Sequence, residues 1–164
     1  MRVVPTPLVT DLEVHYQYPE YSRLPGRTAY RGDVDALEGT VVTVRAHTNT
    51  FLSHAHLLVN DVPVPAVIHH PEKGEEAGDG VEGSFTVGRS GFYQIHLEDP
   101  FGFANPDPPR YEVLVRRDQF PTVSILHPRD DVRLPITEPL RLRFEAHDDL
   151  GLASLEFRYR LPDE

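Results

Sequence analysis

The stretch TVRAHTNTFLSHAHLLV, residues 43–59, has the pattern of two β-strands separated by a turn. Before the turn, Val44 and Ala46 alternate with polar neighbours such as Arg45, and the alternation resumes after it. A period of two places successive side chains on opposite faces of a strand. The stretch therefore predicts two half-buried strands, each with one apolar and one polar face.

Segments of the same kind lie on both sides of this pair, bounded by Gly, Pro, Asn or Asp. They occupy residues 12–18, 62–67, 85–87, 92–97 and 111–115. Short strands at this spacing predict an all-β fold, an immunoglobulin-like antiparallel β-sandwich. Pro63 and Pro65 cannot donate to a strand ladder, so their strand is expected at a sheet edge. Connections are predicted over residues 20–39, 72–83 and 99–110.

Tyr93 lies where SGFYQIHL, residues 90–97, follows a turn and begins a strand. A tyrosine at this place resembles the corner tyrosine of immunoglobulin-like sandwiches, whose hydroxyl group bonds to the backbone. The alternative is an ordinary half-buried tyrosine, a residue that strands favour in any case.

Composition excludes several classes of function. The 164 residues carry a formal net charge of −10, include 16 prolines and contain no cysteine. The acidic excess disfavours nucleic acid and anionic membrane surfaces as partners, because both carry negative charge themselves. Without cysteine the chain has no disulfide, no thiolate metal site and no cysteine nucleophile. No apolar run reaches the roughly 20 residues of a membrane-spanning helix, so this segment is not expected to cross a membrane.

An internal repeat emerges when the sequence is shifted by 100 residues. Residues 42–59 then meet LRFEAHDDLGLASLEFRY, residues 142–159, and the apolar positions keep the same parity. Val44 meets Phe144, and the dipeptide Ala-His recurs at the same offset. A period of about 100 residues is the length of one immunoglobulin-like module.

The repeat predicts two domains. Residues 1–117 would form one sandwich, and residues 118–164 would form the N-terminal part of a second, truncated immunoglobulin-like module. The strands of this second module are predicted near residues 122–127, 140–147 and 153–160. The alternative is that these strands extend the first module into one larger sandwich.

Residues 18–49, YPEYSRLPGRTAYRGDVDALEGTVVTVRAHTN, resemble a segment of large uncharacterised bacterial envelope proteins, planctomycetes among their sources. The patterns Tyr-Pro-x-Tyr-x-x-Leu-Pro and Gly-Asp-x-x-Ala-Leu-x-Gly-Thr carry the likeness. Residues 146–159 are similar to the segment Ala-x-Asp-Asp-x-Gly-x-x-x-Leu that opens the next module in such proteins. The resemblance implies tandem modules on the periplasmic or extracytoplasmic side of the envelope, in a parent protein that spans the membrane elsewhere. It assigns no catalytic residue.

Carboxylates and amides in predicted turns are the candidates for a metal site. Calcium takes six to eight oxygen ligands and can stiffen the junction between tandem modules. The alternative is that these residues close turns, as Asp and Asn commonly do. No cofactor other than calcium is predicted. The calcium candidates are Asp99, Asn105, Asp107, Asp148 and Asp149.

Nine histidines raise a second metal hypothesis. A zinc site needs three or four ligands that converge on one point. The sequence shows no such convergence, and exposed histidines or a polar strand face are the alternative. The hypothesis concerns His54, His56, His69 and His70.

Signatures of enzymes are missing from the sequence. It has no Gly-x-Ser-x-Gly elbow, no phosphate-binding glycine loop and no His-Glu-x-x-His. Glu75, Glu76 and Asp79 lie on a predicted loop, which is a poor platform for paired acid and base chemistry. The chain is therefore predicted not to be an enzyme. Arg31-Gly32-Asp33 matches an adhesion tripeptide by letter, with turn preference as the alternative.

The predicted function is that of a non-catalytic structural or interaction module of a bacterial cell-envelope protein. Its partners would be other envelope proteins or neighbouring modules of the same parent chain. One alternative is a carbohydrate-binding module that uses the aromatic cluster Tyr16, Tyr18, Tyr21 and Tyr30. Another is an accessory domain of an envelope hydrolase whose catalytic unit lies outside this segment.

Overall fold

A computed structural model describes residues 6–71, 78–130, 132–135 and 137–159. These residues form β-strands and one turn of 3-10 helix, which confirms the all-β class. The chain divides into two compact units, Met1–Arg117 and Asp118–Glu164, which we call unit 1 and unit 2. Among the residues described, no helix has the length and apolar character needed to cross a membrane.

The described part of unit 1 contains nine strands, and the 3-10 turn spans Glu20–Ser22. The strands are β1 (Val9–Gln17), β2 (Arg27–Ala29), β3 (Val34–Leu37), β4 (Val41–Thr48), β5 (His54–Val59), β6 (Val62–His69), β7 (Gly80–Thr86), β8 (Gly91–Glu98) and β9 (Tyr111–Arg116).

The strands of unit 1 follow the order β2-β1-β4-β7-β6-β5-β8-β9-β3 in one curled sheet. The curl stacks β2-β1-β4-β7 against β5-β8-β9-β3, which makes an immunoglobulin-like sandwich. Neighbouring strands are antiparallel, as predicted, except that β3 runs parallel to β9. The chain crosses between the two layers in the β2–β3, β3–β4, β4–β5 and β7–β8 connections and within β6.

The prolines of β6 mark where this strand changes partner. Residues 62–65 pair with β5, and residues 66–69 pair with β7. Pro63 and Pro65 lie in the first half, where β5 is the single neighbour among the described strands. Residues 66–69 likewise have one neighbour among the described strands, β7, so each half of β6 lies at the edge of its layer, as predicted, while the strand as a whole joins the two layers.

The core lies between the layers and is built from the alternating apolar residues of the predicted strands. On β4, Val42 and Val44 are buried, whereas Arg45 faces outward. Burying one such side chain contributes about 1.5–3 kcal/mol. The largest fully buried apolar side chains are Val14, Val34, Val42, Val44, Leu57, Val87, Tyr93, Ile95 and Val113.

Two of the predicted connections contain strands. Residues 20–39 include β2 and β3, and residues 72–83 end within β7. Gly83 makes the second segment resemble a loop, but it is buried, and a Cβ there would lie 2.7 Å from Cδ1 of Leu57. Glycine in this strand therefore reflects close packing rather than a turn.

Unit 2 contains β10 (Thr122–His127) and β11 (Arg143–His147), which pair antiparallel. Both were predicted, although β11 is shorter than expected. The prediction of a third strand over residues 153–160 is wrong, because residues 153–159, the part that the structure describes, pair with no strand. Alternation produces a strand only where a neighbouring strand offers hydrogen bonds.

Two tyrosines hold the crossing segment between β2 and β3. The Tyr93 hydroxyl, on β8, donates to the carbonyl oxygen of Gly32 at 2.7 Å. The Tyr16 hydroxyl, on β1, donates to the carbonyl oxygen of Asp33 at 3.3 Å. Burial raises the pKa of both tyrosines, so both hydroxyls remain protonated donors.

The hydrogen bond from Tyr93 to Gly32 agrees with the corner-tyrosine prediction only in part. The Tyr93 hydroxyl bonds to the backbone, as predicted, but its acceptor lies 61 residues earlier rather than a few residues upstream. The Tyr111 ring lies against Gly32, where any Cβ would overlap it. Tyr93 therefore ties the crossing segment to the second layer.

We expect Tyr93→Phe to lower the free energy of unfolding of unit 1 by about 1–2 kcal/mol, because a buried carbonyl group loses its donor. Urea denaturation measures this change. Tyr30→Phe is the control, since Tyr30 is exposed and should leave stability unchanged. Equal effects of the two substitutions would contradict the role assigned to Tyr93.

Candidate functional site

Asp99 and Asn105 organise the β8–β9 loop from within. Oδ1 of Asp99 accepts the backbone N–H groups of Phe101 and Phe103, both at 2.9 Å. Oδ1 of Asn105 accepts the N–H of Leu97 at 3.0 Å. Asp99 is buried, so its carboxylate acts as a fixed acceptor inside the loop. These contacts support the alternative of turn chemistry for both residues.

Asp107 lies further along the same loop and is exposed. Its φ of 46° is left-handed, a conformation that Asp tolerates better than most residues. In the described part of the chain, the structure does not bring Asp107 together with two other potential ligands among His, Cys, Asp and Glu.

Asp148 and Asp149 do come together with a third carboxylate. One oxygen from each, and one from Asp118, lie within 4.8 Å of one another. Loss of solvation, followed by the negative charges of Asp149 and Asp148, raises the pKa of Asp118. Hard oxygen ligands of this kind suit calcium. Asp118 was missed because its distance from Asp148 in sequence hides the convergence.

The histidines of the zinc hypothesis have separate contacts. His56 stacks on His96 across β5 and β8, with ring centroids 5.0 Å apart. Nδ1 of His70 lies 2.8 Å from Oδ1 of buried Asp79. In the part of the chain that the structure describes, none of the four hypothesised histidines joins a converging group of three potential ligands.

His96 differs from the other histidines in its environment. Burial, and secondly the neighbouring His56, lower its pKa. Its Nε2 is buried and finds no hydrogen-bond partner among the described residues. The stacked pair therefore favours the neutral form of His96 at neutral pH.

Asp79 lies on the loop before β7, as predicted, but its carboxylate is buried at the centre of a polar network. Its Oδ2 accepts the N–H of Leu52 at 2.7 Å, and its Oδ1 contacts His70. Its backbone carbonyl accepts the hydroxyl of Thr48 at 2.8 Å. A Cβ on the preceding Gly78 would overlap the backbone of Thr48. The network joins the start of β7 to the β4–β5 loop.

The tripeptide Arg31-Gly32-Asp33 belongs to the crossing segment. Gly32 is buried under Tyr111, and Oδ1 of Asp33 accepts the N–H of Glu112 at 2.9 Å. An adhesion motif has to present its aspartate to a partner, whereas this carboxylate is engaged by β9. The tripeptide therefore contributes to closing the sandwich.

The tyrosine cluster of the carbohydrate hypothesis is divided by the fold. Tyr16 is buried, with the Arg27 guanidinium 4.1 Å from its ring centroid. Tyr18 stacks on Tyr16 with ring centroids 6.2 Å apart. Only Tyr21 and Tyr30 of the four are exposed. A sugar-binding platform would therefore have to use these two.

The chain matches no protein-family model, no curated protein and no solved structure. The fold class therefore stands on strand order, and the candidate sites stand on the contacts described above.

We expect Asp79→Ala to lower the free energy of unfolding of unit 1 by about 2–4 kcal/mol, because the Leu52 N–H loses its buried acceptor. Chemical denaturation measures the loss. Asp35→Ala is the matched control: Asp35 bonds Arg116 at 2.8 Å, but both are exposed, so the cost should stay below about 1 kcal/mol. Similar losses in both variants would refute the special role of Asp79.

We expect Asp118→Asn to raise the melting temperature of unit 2 at pH 7. A raised carboxyl pKa means that ionising Asp118 costs the folded state more than the unfolded state, so stability falls as pH rises through that pKa. Near about pH 3, where the group is protonated in both states, the variant and the wild type should melt alike. The NMR signals of the β11 amides report on unit 2, so their change with temperature measures its melting.

The same variant tests the calcium prediction. Stabilisation of the wild-type chain by millimolar calcium, with none in Asp118→Asn, would support a site at this cluster. An unchanged wild-type melting temperature would count against calcium there.

Proposed function

We propose that this chain is a non-catalytic structural and interaction segment of a bacterial cell-envelope protein. In this proposal unit 1 is a complete spacer sandwich, and unit 2 is the opening part of a second sandwich. One observation supports the proposal most directly. Each unit has a pair of antiparallel strands with apolar side chains on one face, and a second layer of sheet covers this face in unit 1, whereas the face is exposed in unit 2.

The covered copy lies on β1 and β4. Val14 is registered directly opposite Val44 on these strands, and both are buried. Side chains of the opposite layer, such as Leu57 and Ile95, belong to the same core cluster. An apolar strand pair in unit 1 is thus stabilised by a second layer of sheet.

The open copy lies on β10 and β11. Ile125 is registered opposite Phe144, and these side chains are 58% and 47% exposed. Phe144 is the residue that the 100-residue shift aligns with Val44. Leu142, Leu155 and Phe157 line an apolar depression together with this pair. We call this surface the open face.

An exposed apolar face of this kind leaves a small sheet with little stability of its own. A two-stranded sheet is marginally stable in water unless a further layer buries its apolar side. An immunoglobulin-like module needs about 100 residues, roughly twice what unit 2 supplies. These considerations support tandem modules over a single larger sandwich.

The envelope location and the partners rest on a different line of support. The resemblance of residues 18–49 and 146–159 to bacterial envelope proteins favours the periplasmic or extracytoplasmic side. A rigid sandwich holds variable loops at its ends, which suits spacing and protein binding. Other envelope proteins and neighbouring modules of the parent chain are the proposed partners.

A matched pair of substitutions tests the proposal. We expect Val44→Ser to lower the free energy of unfolding of unit 1 by about 2–4 kcal/mol, because it places a hydroxyl group in a packed core. Phe144→Ser, at the repeat-equivalent position, should change stability little in residues 1–164. In a longer polypeptide that continues past residue 164, Phe144→Ser should become destabilising.

Hydrogen exchange gives the second measurement. Amides of β10 and β11 should exchange faster than those of β4 and β7 in residues 1–164, and should gain protection in the longer polypeptide. Equal protection of both units in residues 1–164 would instead indicate one larger sandwich.

A further inference from the structure

Three phenylalanines project from two loops at one end of unit 1. Phe51 lies on the β4–β5 loop, and Phe101 and Phe103 lie on the β8–β9 loop. Their side chains are 54%, 75% and 52% exposed, respectively. Exposed apolar groups gathered in one region mark interaction sites more often than isolated ones do. We call this group the phenylalanine tip.

Hydrogen bonds join the two loops into one support. The backbone N–H of Ser53 donates to the carbonyl of Glu98 at 2.8 Å. The Ser53 hydroxyl donates to the carbonyl of Asp99, also at 2.8 Å. The phenylalanine tip therefore has a shared base, and its backbone does not need to be ordered by a partner.

At the turn of the β8–β9 loop, the backbone donors of residues 101–103 are paired within the loop. Phe101 and Phe103 donate to the Asp99 carboxylate, and Gly102 donates to the Asp99 carbonyl at 3.1 Å. Pro100, which precedes them, has no N–H. An unpaired backbone donor is costly in an apolar medium, so groups that enter one have to be paired internally.

Charge is absent from the projecting residues. Residues 49–53 and 100–106 contain no Asp, Glu, Lys or Arg, although the whole chain carries −10. Asp99 at the base of the loop is buried. The tip can therefore enter an apolar phase without removing a charged side chain from water, whereas the rest of the chain is repelled by anionic surfaces.

We propose that the phenylalanine tip inserts into the interfacial layer of an electrically neutral lipid bilayer and attaches this end of unit 1 to it. Apolar groups of peripheral proteins enter the boundary between headgroups and acyl chains in this way. A protein interface of ordinary size needs about 800 Å² per partner and about ten hydrogen bonds. The paired donors and the projecting rings fit a fluid apolar phase better than such a surface.

The full chain contains no tryptophan, so Phe101→Trp introduces a single fluorophore at the tip. With phosphatidylcholine vesicles we expect its emission to shift to shorter wavelength and to be quenched by brominated acyl chains. Vesicle flotation of the unlabelled chain measures the partition coefficient independently. Replacing a third of the lipid by phosphatidylglycerol should weaken partition, because the chain is acidic.

The double variant Phe101→Ser/Phe103→Ser should reduce the partition coefficient at least tenfold, since two rings no longer enter the bilayer. Phe92→Ser is the matched control, because Phe92 is 50% exposed and lies near the opposite end of β8. It should leave partition unchanged. Thermal melting of both variants checks that unit 1 remains folded.

Several outcomes would overturn the proposal. One is no partition of the wild-type chain at millimolar phosphatidylcholine. Another is partition that survives Phe101→Ser/Phe103→Ser but is lost in Ile125→Ser/Phe144→Ser, which would assign binding to the open face of unit 2. A third is a lipid-independent emission shift that grows with protein concentration, which would assign the tip to contact with a second copy of the chain.

Discussion

The segment between β2 and β3 fastens the two layers of unit 1 to each other. These two short strands lie at opposite ends of the strand order, so the intervening segment has to pass from one layer to the other. A tyrosine from each layer donates to this segment, Tyr16 to Asp33 and Tyr93 to Gly32. Because the acceptors are neighbouring carbonyl groups, the layers are fastened to each other at one place in the chain.

Side chains of the kinds that usually perform chemistry serve the architecture in this protein. The carboxylates of Asp79 and Asp99 accept backbone donors from within loops, and Asp33 holds the start of β9. The two surfaces proposed for interaction, the open face of unit 2 and the phenylalanine tip, are apolar instead. Polar side chains that stabilise loops, together with exposed apolar surfaces, agree with the proposed role of a module that holds or spaces other molecules.

The sequence predicted those parts of the fold that depend on local patterns. Alternation located β4 and β8, and the predicted repeat pointed to strands at β10 and β11. The sequence pattern did not reveal β3, because four residues show little periodicity and the parallel partner β9 is distant in sequence. It missed the start of β7, where Gly83 reflects contact with Leu57. Convergence of Asp118 with Asp148 and Asp149 was likewise beyond reach, because carboxylates that meet through folding share no local signal.

The parallel pairing of β3 with β9 has a consequence for the order of events during synthesis. Asp33 and Glu112, which join these strands, lie 79 residues apart, so the first sandwich cannot close until nearly all of unit 1 has left the ribosome. The open face of unit 2 emerges only afterwards, with β10 and β11. Folding from the N-terminus thus separates in time two surfaces of similar pattern that could otherwise pair with the wrong partners.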